Sequence, residues 1–137
     1  MAAALLKLQL DNRSPDTEIR SAGLGALIGY PADDTAQSLM RDKGTEISEH
    51  RAQQVSEELI QWADLVLVMG LGQKKALLES HPHARGKVFL LGHWTDEEIP
   101  DPYREILEVY QQALDKIERS VQAWTAKIAP GKKRVET

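Results

Sequence analysis

The sequence predicts an α/β fold, a parallel sheet flanked by helices in three layers. Leu65–Met69 (LVLVM) and Val88–Leu91 (VFLL) are continuous apolar runs of strand length. Such runs suit parallel strands buried on both faces. The stretch between and beyond them carries apolar residues at helical spacing, most clearly Val109, Tyr110, Leu114, Ile117, Val121 and Trp124. Strands alternating with helices imply βα units joined by right-handed crossovers.

The elements follow in order. Met1 to Leu10 is rich in alanine and leucine, good helix formers, with no capping residue before it. Asn12 to Asp16 is a turn, and Glu18–Ala22 a short strand. Gly23 and Gly25 permit a change of direction. Asp33 is placed to cap a helix running to Lys43, with Gly44 just past its end. Ser56 is placed to cap a second helix through Trp62. After the Leu65–Met69 strand comes a helix from Gln73 to Ser80, ended by His81-Pro82. Thr95 to Asp101 is an acidic, proline-marked loop after the Val88–Leu91 strand. The last helix spans Tyr103 to Ile128 and stops at Pro130-Gly131. This reading gives one domain over residues 1–129 and a polar tail over 130–137.

Composition narrows the function. A chain of 137 residues can bury a core without staples. A net charge of −4 gives no electrostatic grip on nucleic acid. There is no cysteine, so disulfides, thiolate metal sites and redox pairs are excluded within these residues. The apolar start ends at Lys7, too short to span a membrane and without a basic leader. The expected setting is the cytoplasm, without membrane insertion.

Several segments, in order, resemble the low-molecular-weight protein tyrosine phosphatases, especially the bacterial type linked to capsule polysaccharide export. They are Ser21–Gly29, Pro31–Asp33, Ser48–Gln53, Ala63–Met69, Arg85–Trp94 and Glu98–Arg104, with Ile99-Pro-Asp-Pro-Tyr103 the most specific. The resemblance implies a three-layer α/β/α fold and hydrolysis of protein tyrosine phosphate through a phosphocysteine. In that family the first strand is central and ends in a C-x5-R-[ST] loop that cradles phosphate. Met1–Lys7 resembles the helix just after that loop. The expectation is therefore a domain incomplete at its N-terminus, lacking its first, central strand and the nucleophile, and inactive as it stands. Two strands would then face a gap and promote self-association through unpaired edges.

The resemblance also assigns roles. Asp101 would protonate the leaving phenolate and later activate water. On its residues alone, Asp101 reads as a cap for the last helix. Tyr103 and Leu27 would line the substrate pocket, and Ser21 and His50 would brace the phosphate loop. Gly70 and Gln53 depart from the pattern, since relatives commonly carry an acidic residue and an arginine there. The implied partner is a phosphotyrosine protein, such as a capsule-export tyrosine kinase. No cofactor and no metal are expected: His81, His83 and His93 read as solvated loop histidines, without metal-ligand spacing. The alternative to a phosphatase is a non-catalytic binding protein that uses the remaining pocket wall. The arsenate reductases of this fold need several cysteines, which this sequence does not have.

Overall fold

Alternation in the strand after Trp62 organises the molecule. In Leu65–Val68 (β2), Leu65 and Leu67 pack into one hydrophobic cluster, and Val66 and Val68 into another. Successive side chains point to opposite faces, so a strand apolar at every position must be covered on both sides. The computed structural model describes residues 1–10, 17–23, 29, 31–51, 53–101, 107–128 and 134–136. Over the described residues, five helices and four strands build this arrangement. They are α1 (Ala2–Leu10), β1 (Glu18–Arg20), α2 (Asp34–Asp42), α3 (Glu57–Trp62), β2, α4 (Leu71–Ser80), β3 (Val88–Leu90), α5 (Leu107–Lys127) and β4 (Arg134–Glu136).

The larger cluster covers one face. It joins Leu5, Leu6 and Leu10 of α1, Leu39 and Met40 of α2, and Tyr110, Leu114, Ile117, Val121 and Trp124 of α5. Each fully buried side chain of this kind contributes about 1.5–3 kcal/mol. The smaller cluster covers the other face, where Ile60 and Leu77 from α3 and α4 meet Val66, Val68 and Val88. Trp124 fastens α5 to the end of β3, its indole N–H donating to the Leu91 carbonyl at 2.7 Å. Both expected caps are present: Asp33 accepts from the Ala36 N–H at 3.0 Å and Ser56 from the Leu59 N–H at 3.1 Å. Gly44 has φ of +86°, the left-handed geometry that favours glycine past a helix end. At Gly92 a Cβ would come within 2.0 Å of the Glu97 carbonyl oxygen, so only glycine lets the 92–97 loop close.

The sheet is four-stranded, in the order β1-β4-β2-β3, and every pairing is parallel. The fold class matches the expectation, but the expected gap is filled. Arg134–Glu136, anticipated within a polar tail, lies between β1 and β2. It registers Ile19 with Val135 and Arg20 with Glu136 on one side, and Leu65 with Val135 on the other. Asp64 secures its start, with the Asp64 N–H donating to the Arg134 carbonyl at 2.8 Å and its carboxylate accepting from the Arg134 N–H at 3.0 Å. β1 and β2 therefore do not face each other with unpaired edges, which removes the basis for self-association there. Val135 faces the larger cluster and is 1% exposed.

Smaller differences concern boundaries. β1 ends at Arg20, β3 at Leu90, and α4 begins two residues before Gln73, at Leu71. The turn at Asn12–Asp16, the start of the last helix at Tyr103 and the stop at Pro130-Gly131 lie outside the described residues. None of the described helices is long and apolar enough to cross a membrane.

Candidate active site

Ligands of open parallel sheets sit at the carboxyl ends of the strands. At the end of β1 the chain bonds to the 50–55 segment. The Gly23 N–H donates to the Gln53 carbonyl and the Val55 N–H to the Gly23 carbonyl, both at 2.9 Å. The Gln53 side chain adds a bond from its amide to the Ser21 carbonyl at 2.7 Å. The glutamine that replaces the expected arginine thus ties the two segments together through a neutral contact.

These bonds bring Ser21 and His50 to one cleft of about 280 Å³. Its walls are Ala3, Ala4 and Lys7 of α1, Ile19 and Arg20 of β1, Ser21, and the 50–53 side with His50, Arg51 and Gln53. No acidic residue is among these lining residues. Burial is the main cause that lowers the His50 pKa, and the Met1 amino group and Arg51 add to it. The imidazole is therefore held neutral at physiological pH. Arg51 is itself fixed by donating to the Ser48 and His50 carbonyls, each at 2.8 Å.

The start of α1 lies beside this region. Burial lowers the pKa of the Met1 amino group, and the Asp33 carboxylate partly opposes that shift. Asp33 in turn accepts a hydrogen bond from the Tyr110 hydroxyl as well as capping α2. Sequence reasoning found Asp33 as a cap and Tyr110 as a core residue. It missed their contact because they are 77 positions apart.

At the end of β2, the 97–101 loop docks by its main chain. The Ile99 N–H donates to the Met69 carbonyl at 2.9 Å, and Ile99 is buried. This holds exposed Asp101 two residues from an anchored point at the carboxyl end of the sheet. Glu98, on the same loop, accepts from the Leu71 N–H at 2.7 Å. Gly70 has no side chain to cap α4, and Glu98 supplies the carboxylate instead. A carboxylate at a helix N-terminus is favoured by its free N–H groups and dipole. The sequence shows Glu98 as part of an acidic, proline-marked loop, with no sign of this cap. Tyr103 and Leu27 lie outside the described residues.

Residues 1–134 match the family described as low molecular weight phosphotyrosine protein phosphatase. The chain belongs to this family. It is 46% identical over 128 residues to the probable low molecular weight protein-tyrosine-phosphatase EpsP of Ralstonia nicotianae, covering 93% of this chain and 86% of that one. With the low molecular weight protein-tyrosine-phosphatase Wzb of Escherichia coli K12, identity is 41% over 116 residues, covering 84% and 79%. Among solved structures, Vibrio vulnificus Wzb in complex with benzylphosphonate superposes with a TM-score of 0.86 at 36% identity, over 93% of this chain and 88% of that one. Membership in this family gives the chain its chemical context, that of the low molecular weight phosphotyrosine protein phosphatases.

The histidines set aside from the phosphatase site are not simply solvated. His93 packs edge-on against Phe89 and Trp94, with ring centroids 5.5 and 4.7 Å away. His81 and His83 both meet Glu57. Their chemistry is separate from the sheet end just described, because α4 carries His81 to the opposite end of the sheet, where β3 begins.

Proposed function

We propose that this chain carries the framework of a protein tyrosine phosphatase, with Asp101 as the general acid and base. In this reading Tyr103 and Leu27 line the pocket and Ser21 and His50 brace the phosphate loop. The physiological partner is a phosphotyrosine protein of the capsule-export kinase class. The observation that carries the reading is the anchoring of the Asp101 loop to the end of β2 through Ile99 and Met69.

These 137 residues hold no cysteine, so on their own they do not form a phosphocysteine. A positioned acid alone contributes only ~10²–10⁴-fold. The test compares turnover of p-nitrophenyl phosphate by the 137-residue chain and by a chain extended at its front with a strand and a C-x5-R-S loop, roughly fifteen residues. The expected result is turnover only in the extended chain, with Asp101→Asn lowering kcat by ~10²–10⁴-fold and KM little. Turnover in the extended chain that is unchanged by Asp101→Asn would overturn the reading.

A second reading, non-catalytic recognition of phosphotyrosine, is favoured by the cleft lined by Lys7, Arg20 and Arg51 without a carboxylate. It requires that the 137-residue chain bind a phosphotyrosine peptide more tightly than the unphosphorylated peptide. Equal affinities would dismiss it.

A further inference from the structure

We propose that Glu57, His81 and His83 form a binding site for a divalent transition metal of the zinc class, joining the start of α3 to the end of α4. The His81 Nδ1 lies 2.5 Å from the Glu57 Oε2, and the His83 Nε2 lies 2.8 Å from the Glu57 Oε1. The three groups' ligand atoms all fall within 4.8 Å of one another. Four-coordinate zinc at its usual ~2.0–2.1 Å bond lengths places neighbouring ligand atoms about 3.3 Å apart. The site reaches that spacing if the two short contacts open by less than about 1 Å. The side chains that must move can do so, since Glu57 and His83 are 49% and 45% exposed at the side chain.

The supporting geometry is that of a site with one fixed ligand and two adjustable ones. His81 is only 15% exposed and sits at the C-terminal cap of α4, where its N–H donates to the Leu77 carbonyl. Pro82 stiffens the link between the two histidines, and their rings stand nearly perpendicular, at 87°. Both imidazoles therefore aim at one carboxylate from different directions. Gln61 donates to the Glu57 Oε1 at 3.2 Å, an outer contact of the kind that orients a ligating carboxylate. Two imidazole nitrogens and one carboxylate favour zinc, copper(II) or nickel over magnesium or calcium, which prefer sites of oxygen alone. Three protein ligands leave the fourth position to water. Because the ligands come from α3 and from the end of α4, bound metal acts as a clip between these two helices and not as a centre for the phosphatase reaction.

The test uses the full chain without a histidine tag, stripped with a chelator and titrated with zinc chloride by calorimetry. The expected result is one zinc per chain, a rise in Tm on saturation because the metal binds the folded state, and intense visible absorption when cobalt(II) replaces zinc. His81→Ala, His83→Ala and Glu57→Gln should each weaken binding at least ~10-fold, since even outer-contact losses cost that much, and His93→Ala should leave it unchanged. His83→Ala removes a half-exposed side chain, so its circular dichroism should match the parent and separate lost ligation from lost folding. Absence of binding, or binding that survives the His81→Ala/His83→Ala double change, would show a plain histidine–glutamate ion pair and overturn the proposal.

Discussion

Glu136 is a buried carboxylate with a large electrostatic consequence. It is 3% exposed, on the face of β4 opposite Val135, and its carboxylate has no hydrogen-bond or ion-pair partner among the described residues. Its register neighbour Arg20 turns its guanidinium to the Trp62 ring, 4.1 Å from the centroid. Burial pushes the Glu136 carboxyl up to about 7. The folded chain then keeps a proton that the unfolded chain releases near its usual 4.5. The contribution of this group to stability is therefore greatest below pH ~4.5, falls as pH rises to ~7, and is flat beyond, a loss of about 3 kcal/mol. Urea unfolding across that window should show the decline in the parent and not in Glu136→Gln. If β4 detaches locally first, amide exchange at Val135 and Glu136 should accelerate over the same range while the global midpoint moves less. A pH profile identical in parent and variant would show that the Glu136 carboxylate is not desolvated in the folded chain.

At the level of elements, capping was legible in the sequence where it is local and illegible where it is not. Asp33 and Ser56 stand directly before the helices they cap, and both were readable as such. Glu98 caps α4 from 27 positions away, which no local pattern could reveal. The long α5 was readable because Tyr110, Leu114, Ile117, Val121 and Trp124 keep one face. The short β4 was not, since Arg-Val-Glu has a single apolar residue and becomes a strand only because β1 and β2 flank it. Of the candidate site, the motif at Ile99–Tyr103 located the Asp101 loop, while the Gln53–Ser21 bond and the Glu57–His81–His83 group needed the fold. The Glu98 cap is open to a double-mutant test. Glu98→Ala should cost about 1 kcal/mol. Gly70 lies in extended backbone at φ −148°, which any residue adopts, so Gly70→Asp should restore the cap in the Glu98→Ala background. In the parent, the same Gly70→Asp change sets a second carboxylate against Glu98, whose Oε1 is 3.0 Å from the new Cβ position, and should gain nothing. Additive effects of the two substitutions would show that Glu98 does not act as the cap of α4.

For the whole molecule, the decisive matter is what holds the slot between β1 and β2. Val135 is the one apolar side chain that β4 buries, contributing about 1.5–3 kcal/mol. At neutral pH the desolvated Glu136 offsets about 3 kcal/mol. The side chains of β4 thus nearly cancel, and main-chain pairing with both neighbours keeps it in place. That pairing is still substantial, because each buried polar group left without a partner costs ~1–3 kcal/mol. Deleting residues 134–137 should therefore expose the facing edges of β1 and β2, and sedimentation should detect self-association that the parent lacks. A continuous apolar strand entering the same slot would make equivalent main-chain bonds and bury several more apolar side chains, each worth about 1.5–3 kcal/mol. In the chain extended with a strand and C-x5-R-S loop, the added strand should win, and residues 134–136 should leave the sheet. Amide exchange would read the change directly: Val135 and Glu136, protected in the parent, should exchange rapidly in the extended chain. The 134–137 deletion, damaging in the parent, should then leave the extended chain's phosphatase turnover and oligomeric state unaltered. Continued protection of Val135 and Glu136 in an active extended chain would show that the two strands do not compete for one place.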